Sequence, residues 1–160
     1  MSDENQMTLV QEASQTLEGY LHERGLRATP ERYALLDVIC SMDGHFSLEM
    51  LQEQVSKKHF SVSLATLYNN IDLFLDAGLI CRHYIGPSVL FERRYGVEPH
   101  LHRICRMCGN VQDVRNDRCS STICNMRLRG FTVDPSYIYL YGICSKCSAA
   151  LRRKNKKIKK

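Results

Sequence analysis

Two Cys-x-x-Cys pairs, Cys105-Arg-Met-Cys108 and Cys144-Ser-Lys-Cys147, carry the strongest chemical signal in the chain. Four thiolates offered by two such knuckles make a closed, soft, tetrahedral shell, and Zn2+ is its usual occupant. The intervening segment, residues 109–143, is longer than in a common zinc ribbon, so the ion is expected to tie shut a small domain built from that segment. The competing reading is two unrelated cysteine pairs or a redox disulfide. Cys40, Cys81, Cys119 and Cys124 have no such pairing in sequence. Cys40 lies on an apolar helix face and reads as a small core residue, while Cys119 and Cys124 read as free thiols, with oxidation as the lesser alternative.

A second donor set is chemically harder. If His100-Leu-His102 lies on a strand, its two imidazoles project from one face, as chelation requires. Alone, an H-x-H is more often a pair of polar surface residues than a chelate. Glu92 and Asp113, close by in the domain as read, add two carboxylates, and two histidines with two carboxylates suit Fe2+, Mn2+ or Zn2+. Two shells of different softness imply two roles, a structural zinc and an exchangeable ion. His22, His59 and His83 lack comparable sequence partners and read as surface or internally satisfied residues.

The elements that must position these groups can be read from periodicity. Leu9, Ala13, Leu17, Tyr20 and Leu21 form one stripe of a helix from Leu9 to Arg24. Thr29-Pro30 is a helix start, with Leu35, Leu36, Val38 and Ile39 behind it and a stop before Asp43-Gly44. Ser47 caps a short third helix. Ser63 opens a fourth, with Leu64, Leu67, Tyr68, Ile71, Phe74 and Leu75 as its apolar stripe, Thr66, Asn69 and Asn70 on its exposed face and Gly78 as its stop. A hairpin follows, Ile80 to Ile85 and Ser88 to Tyr95, turning at Gly86-Pro87. Beyond His100 come strands at Leu101–Ile104 and Val111–Val114, a helix from Asp117 to Arg129 and a strand at Ile138–Ile143.

The pattern predicts an α+β chain with an N-terminal winged-helix domain over 1–84, whose wing and hinge extend to about 98. A small α/β zinc-containing domain over 99–149 and a basic tail over 150–160 follow. That second domain is too short to bury a secure core alone and calls for a metal, a partner subunit or both. A hydrophobic fraction of 44% with 24% charged residues is that of a globular protein, and no apolar run is long enough to span a membrane. The polar, acidic N-terminus lacks the features of a signal peptide, so a cytoplasmic location is expected, where thiols bind metal more often than they form disulfides. The formal charge of +5 resides in the C-terminal RRKNKKIKK, so any DNA-binding face must come from local asymmetry.

Five motifs, in this order, resemble the ferric uptake regulator (Fur) superfamily. They are Leu26-Arg-Ala-Thr-Pro-Glu-Arg32, Gly44-His-Phe-Ser47, Ser63-Leu-Ala-Thr-Leu-Tyr68 with Asp76-Ala-Gly-Leu79, the His100 to Gly109 segment, and Leu140-Tyr-Gly-Ile-Cys144. The resemblance implies a V-shaped homodimer acting as a metal-responsive repressor, not an enzyme, with regulatory ligands at His45, Glu92, His100, His102 and Asp113. It also implies that Ser63, Thr66, Tyr68, Asn69 and Asn70 face the DNA major groove and that Arg27 reaches the minor groove of a pseudo-palindromic double-stranded operator. Asn69 stands where many members carry arginine and favours adenine-type contacts. Ser136, Pro99 and Leu101 replace ligands of a further family site, which is therefore expected to be absent. Glu92 resembles the iron sensors and Asp113 the peroxide-sensing branch. The alternatives are a peroxide sensor of this fold and a zinc-ribbon interaction module that binds DNA weakly or not at all.

Overall fold

Helix-stop signals and strand alternation divide the chain into two units, Met1–Val97 and Glu98–Lys160, each with its own sheet. A computed structural model describes residues 3–58, 62–85, 88–97, 100–115, 117–131 and 138–158. The Gly86-Pro87 turn, His59, Pro99 and Ser136 lie outside the described residues. No helix among those described is long and apolar enough to cross a membrane.

The first unit contains α1 (Asp3–Glu23), α2 (Pro30–Ser41), α3 (Leu48–Lys57), α4 (Leu64–Asp76) and an antiparallel hairpin of β1 (Ile80–Ile85) and β2 (Ser88–Arg93). This is the expected winged-helix arrangement. Its core joins Leu17, Leu36, Leu51, Leu67, Phe74 and Phe91 from every helix and from β2. Ser47 and Ser63 each accept the N-cap hydrogen bond, from Met50 and Thr66. Thr29 holds the N-cap position before Pro30, but its side chain makes no cap bond. Gly78 closes α4 at φ 68°, a conformation that side chains with a Cβ rarely adopt.

The end of β2 is buried on both faces. Phe91 enters the core and its backbone exchanges two hydrogen bonds with Phe46, at 2.8 and 2.7 Å. Arg93 is buried too, and its guanidinium donates to the Cys40 carbonyl at 2.6 Å and faces Asp43 at 3.4 Å. That contact satisfies one of the carbonyls a helix leaves open at its C-terminus and places a cation against the negative end of α2.

The second unit contains β3 (Leu101–Cys105), β4 (Val111–Val114), α5 (Asp117–Cys124), β5 (Ile138–Gly142) and α6 (Ser145–Ile158). The sheet order is β4-β3-β5, with β3 antiparallel to β4 and parallel to β5. Helix α5 is shorter than expected because the Asn125 side chain binds back to the Ser121 carbonyl and Leu128 pairs with Phe131 around Gly130, drawing the chain out of the helix. The residues expected as a basic tail instead continue α6, since Ala149, Ala150, Leu151 and the arginines after them are strong helix formers. Among the described residues, the buried apolar side chains of this unit are Leu101, Ile104 and Cys105, all on β3.

Phe46→Ala removes both the ring that packs against Phe91 and the anchor of the preceding loop. A loss of about 3–5 kcal/mol is expected, measured as a lowered urea midpoint, with hydrogen exchange faster in β2 than in α1.

Candidate metal centres and nucleic-acid interface

The cysteine quartet is assembled by the β3–β5 pairing. Cys105 ends β3 opposite Gly142, and the Arg106 N–H continues the ladder by donating to the Gly142 carbonyl at 2.8 Å. Cys144, two residues on, therefore sits beside Cys105, and its N–H donates to Cys105 Sγ at 3.3 Å. Cys108 returns through a tight turn closed by the Gly109 N–H on the Cys105 carbonyl, and Cys147 lies in the first turn of α6. The four Sγ atoms lie within 4.8 Å of one another, and Cys108 and Cys144 are 3.9 Å apart. A tetrahedral ZnS4 centre with bonds near 2.3 Å has sulfur–sulfur edges of about 3.8 Å, so the donor set fits Zn2+. Backbone N–H groups of Cys144, Cys108 and Met107 hold the Cys105 thiol down at about 6. Hydrogen bonding to Cys144 and Cys108 pushes Cys147 up to about 12. The quartet thus starts with one ready thiolate and releases further protons as metal binds. Cys40 is the contrasting case: burial raises its thiol to about 11, and it behaves as a core residue.

In the first unit, the Phe46–Phe91 bridge brings His45 next to Glu92, with Nε2 and Oε2 3.7 Å apart. Glu92 is only 3% exposed. His83 shares the same carboxylate oxygen at 3.2 Å and is fully buried, and its ring meets that of His45 edge to face at 4.9 Å. In the second unit, His102 pairs across the sheet with Asp113, Nδ1 to Oδ1 at 3.3 Å, and stacks on Tyr139, its register partner on β5. His100 stands 3.9 Å from the same aspartate oxygen, and its ring meets that of His102 at 4.5 Å. The two imidazoles of the H-x-H motif therefore converge, with a carboxylate aimed between them.

On α4, Tyr68 and Asn69 are exposed, Ser63 caps the helix from its exposed first turn, and Thr66 is half-buried with its hydroxyl on that of Ser63. Leu64 is exposed as well, off the core stripe formed by Leu67, Ile71 and Phe74. Asn70 departs from expectation. It is 6% exposed, because its position adjoins that stripe, and its amide donates to the Thr66 carbonyl at 2.7 Å. Arg27 is exposed, and its carbonyl accepts from the Arg32 guanidinium. Glu31, Arg32, Ser63, Thr66, Asn69 and Asn70 line one surface recess where the N-termini of α2 and α4 converge, so that it carries both an acidic and a basic side chain.

A family model described as the ferric uptake regulator family matches residues 23–141. The chain belongs to this family. The peroxide operon regulator of Bacillus subtilis (strain 168) is 30% identical over 132 residues, which cover 80% of this chain and 88% of that protein. The peroxide-responsive repressor PerR of Staphylococcus epidermidis is 28% identical over 129 residues, covering 79% and 85%. Among solved structures, the ferric uptake regulator from Pseudomonas aeruginosa with manganese is 26% identical, covers 80% of this chain and 97% of its own, and has a TM-score of 0.63. The Helicobacter pylori ferric uptake regulator, at 17% identity, shares the fold at a TM-score of 0.67 over 87% and 93% of the two chains. This Fur-family protein is thus a metal-responsive transcriptional regulator.

Two residues beside Glu92 do not stand out in the sequence, Cys81 and His83. Both lie on the inward face of β1, and Cys81 pairs in register with Glu92. The available signal was a Cys-x-His on a strand, the same alternation that marks His100 and His102.

Cys108→Ser should reduce bound zinc in the purified protein by about one equivalent and raise hydrogen exchange throughout β3 and β5, while α1 to α4 keep their protection. Full zinc content with an unchanged exchange pattern in the second unit would remove the structural role from the quartet.

Proposed function

We propose that this protein is a homodimeric, cytoplasmic repressor whose binding to a pseudo-palindromic operator in double-stranded DNA is switched by a divalent ion. That ion is Fe2+ in preference to Mn2+ or Zn2+, and Cys105, Cys108, Cys144 and Cys147 hold a permanent Zn2+. The observation that carries the reading is that each unit contributes an ordered part of a hard ligand set. His45 stands with Glu92 in the first unit, and His100 and His102 with Asp113 in the second. A divalent ion held by these donors would supply a binding energy that differs between a DNA-competent and an incompetent arrangement. Within each unit the chain's own work is orientation. The Phe46–Phe91 bridge fixes His45, and Asp113 with Tyr139 fixes His102.

For DNA, the reading assigns Tyr68 and Asn69 to the major groove, Asn69 being suited to adenine, and Arg27 to the minor groove. Ser63 and Thr66 at the start of α4, with Arg32 offsetting the Glu31 carboxylate that lines the same recess, suit a backbone phosphate. Asn70 supports α4 from behind. Dimerisation through the second unit is supported by the exposed apolar side chains Leu140, Tyr141, Ile143 and Phe131.

Footprinting across DNA upstream of the protein's own gene, with Fe2+, Mn2+, Zn2+ or chelator, tests the switch. At least about tenfold tighter binding is expected with the activating metal, a gain that His102→Ala abolishes while leaving the structural zinc in place. Equal binding with every metal and with chelator would end the regulatory claim.

A second reading, peroxide sensing, is favoured by Asp113 facing both histidines and by the peroxide-responsive relatives. It predicts that peroxide treatment of the Fe2+-loaded protein adds one oxygen atom to a peptide containing His45 or His100 and releases DNA. Mass spectrometry showing unmodified histidines after DNA release would exclude that route.

A further inference from the structure

Glu92 has neighbours that the regulatory set does not use. Cys81 Sγ lies 3.4 Å from His83 Nε2, and His83 Nε2 lies 3.2 Å from Glu92 Oε2. One ligand atom from each of the three lies within 4.8 Å of the others, and all three side chains are buried. The arrangement follows from the hairpin. Residues 81 and 83 share a face of β1, and Glu92 is the cross-strand partner of Cys81. A tetrahedral ion with bonds of about 2.0 Å to nitrogen and oxygen and 2.3 Å to sulfur sets its ligand atoms about 3.3–3.5 Å apart. The two separations that involve His83 match these values, and the Cys81–Glu92 pair lies within 4.8 Å.

We propose that Cys81, His83 and Glu92 form a second, sulfur-containing zinc site inside the first unit, separate from the cysteine knuckles and sharing Glu92 with the regulatory set. The charge balance favours a divalent ion here, because a thiolate, a carboxylate and a neutral imidazole neutralise it without leaving a net charge in a buried pocket. The thiol donates to the Glu92 backbone carbonyl at 3.2 Å. On metal binding the S–H bond breaks, its proton leaves to solvent and the sulfur pair forms the metal bond, so no oxidant or reductant is needed. The thiolate selects a softer ion than the all-N/O set does, favouring zinc over iron or manganese. The site rests on the first unit alone, and only its effect on DNA binding depends on the regulatory reading. Through Glu92, zinc held here withdraws a carboxylate from the hard ligand set and opposes activation by the hard metal.

The test uses the full-length protein with its knuckles filled by zinc, titrated with Co2+ as the spectroscopic probe. A near-ultraviolet thiolate-to-cobalt charge-transfer band is expected, lost in Cys81→Ser, retained in His102→Ala and reversed by zinc. Affinity for this zinc should fall at least about tenfold in Cys81→Ser. Absence of the band, its survival in Cys81→Ser, or its loss in His102→Ala overturns the proposal. The last result leaves the regulatory switch standing, just as a failed DNA footprint leaves the cobalt band standing. If Cys81→Ser fails to fold, X-ray absorption of the wild type decides. Measured at the cobalt edge with the knuckles filled by zinc, the cobalt shell must contain sulfur; a purely nitrogen and oxygen shell refutes the site.

Discussion

A carboxylate removed from water has to be neutralised, and Glu92 is the point at which this chain meets that requirement. Its side chain is held against His45 and His83, and its strand neighbours occupy the helical core on one side and the end of α2 on the other. The cost of leaving such a group uncompensated is several kcal/mol, enough to consume a large part of a small domain's stability. A site built this way is tied to the fold that carries it. The helices, the hairpin and the loop through His45 must all be in register before the donors can meet.

The second unit solves a different problem. Among the described residues its buried apolar side chains are confined to the central strand, and a unit this short gains little from hydrophobic burial alone. The quartet clamps one end of the parallel β3–β5 pairing from both strands, since one knuckle ends β3 and the other lies between β5 and α6. Zinc in such a place stabilises by fixing topology as well as by bonding. The same strand then offers His102 a fixed platform, because the sheet that the knuckles brace is the sheet that sets Asp113 and Tyr139 on either side of it.

Most of this was legible in the residues. The helix starts at Pro30, Leu48 and Leu64 follow from cap chemistry, the hairpin from alternation, and the quartet from spacing. Besides the length of α5, three things were not. Asn70 was placed on the exposed face because a polar residue beside an apolar stripe looks solvent-facing, yet an amide that finds a backbone carbonyl can be buried at small cost. The basic run after residue 150 reads as a tail by charge, although its helix propensity is high once the knuckle has started a turn. Cys81 and His83 are not legible as a set because Glu92 lies eleven and nine residues from them across a hairpin, a proximity that only strand register reveals.

Register also sets how this molecule can change over evolutionary time. Phe91 and Arg93 face away from Glu92 on the same short strand, one locked to the backbone of residue 46 and the other to the carbonyl of residue 40. Inserting or deleting a single residue there would turn the carboxylate to the wrong side and break both anchors together. Metal preference can drift by exchanging side chains at 81, 83 or 92, but the length of this strand is frozen, and lineages of the protein should record their divergence in substitutions here and in indels elsewhere.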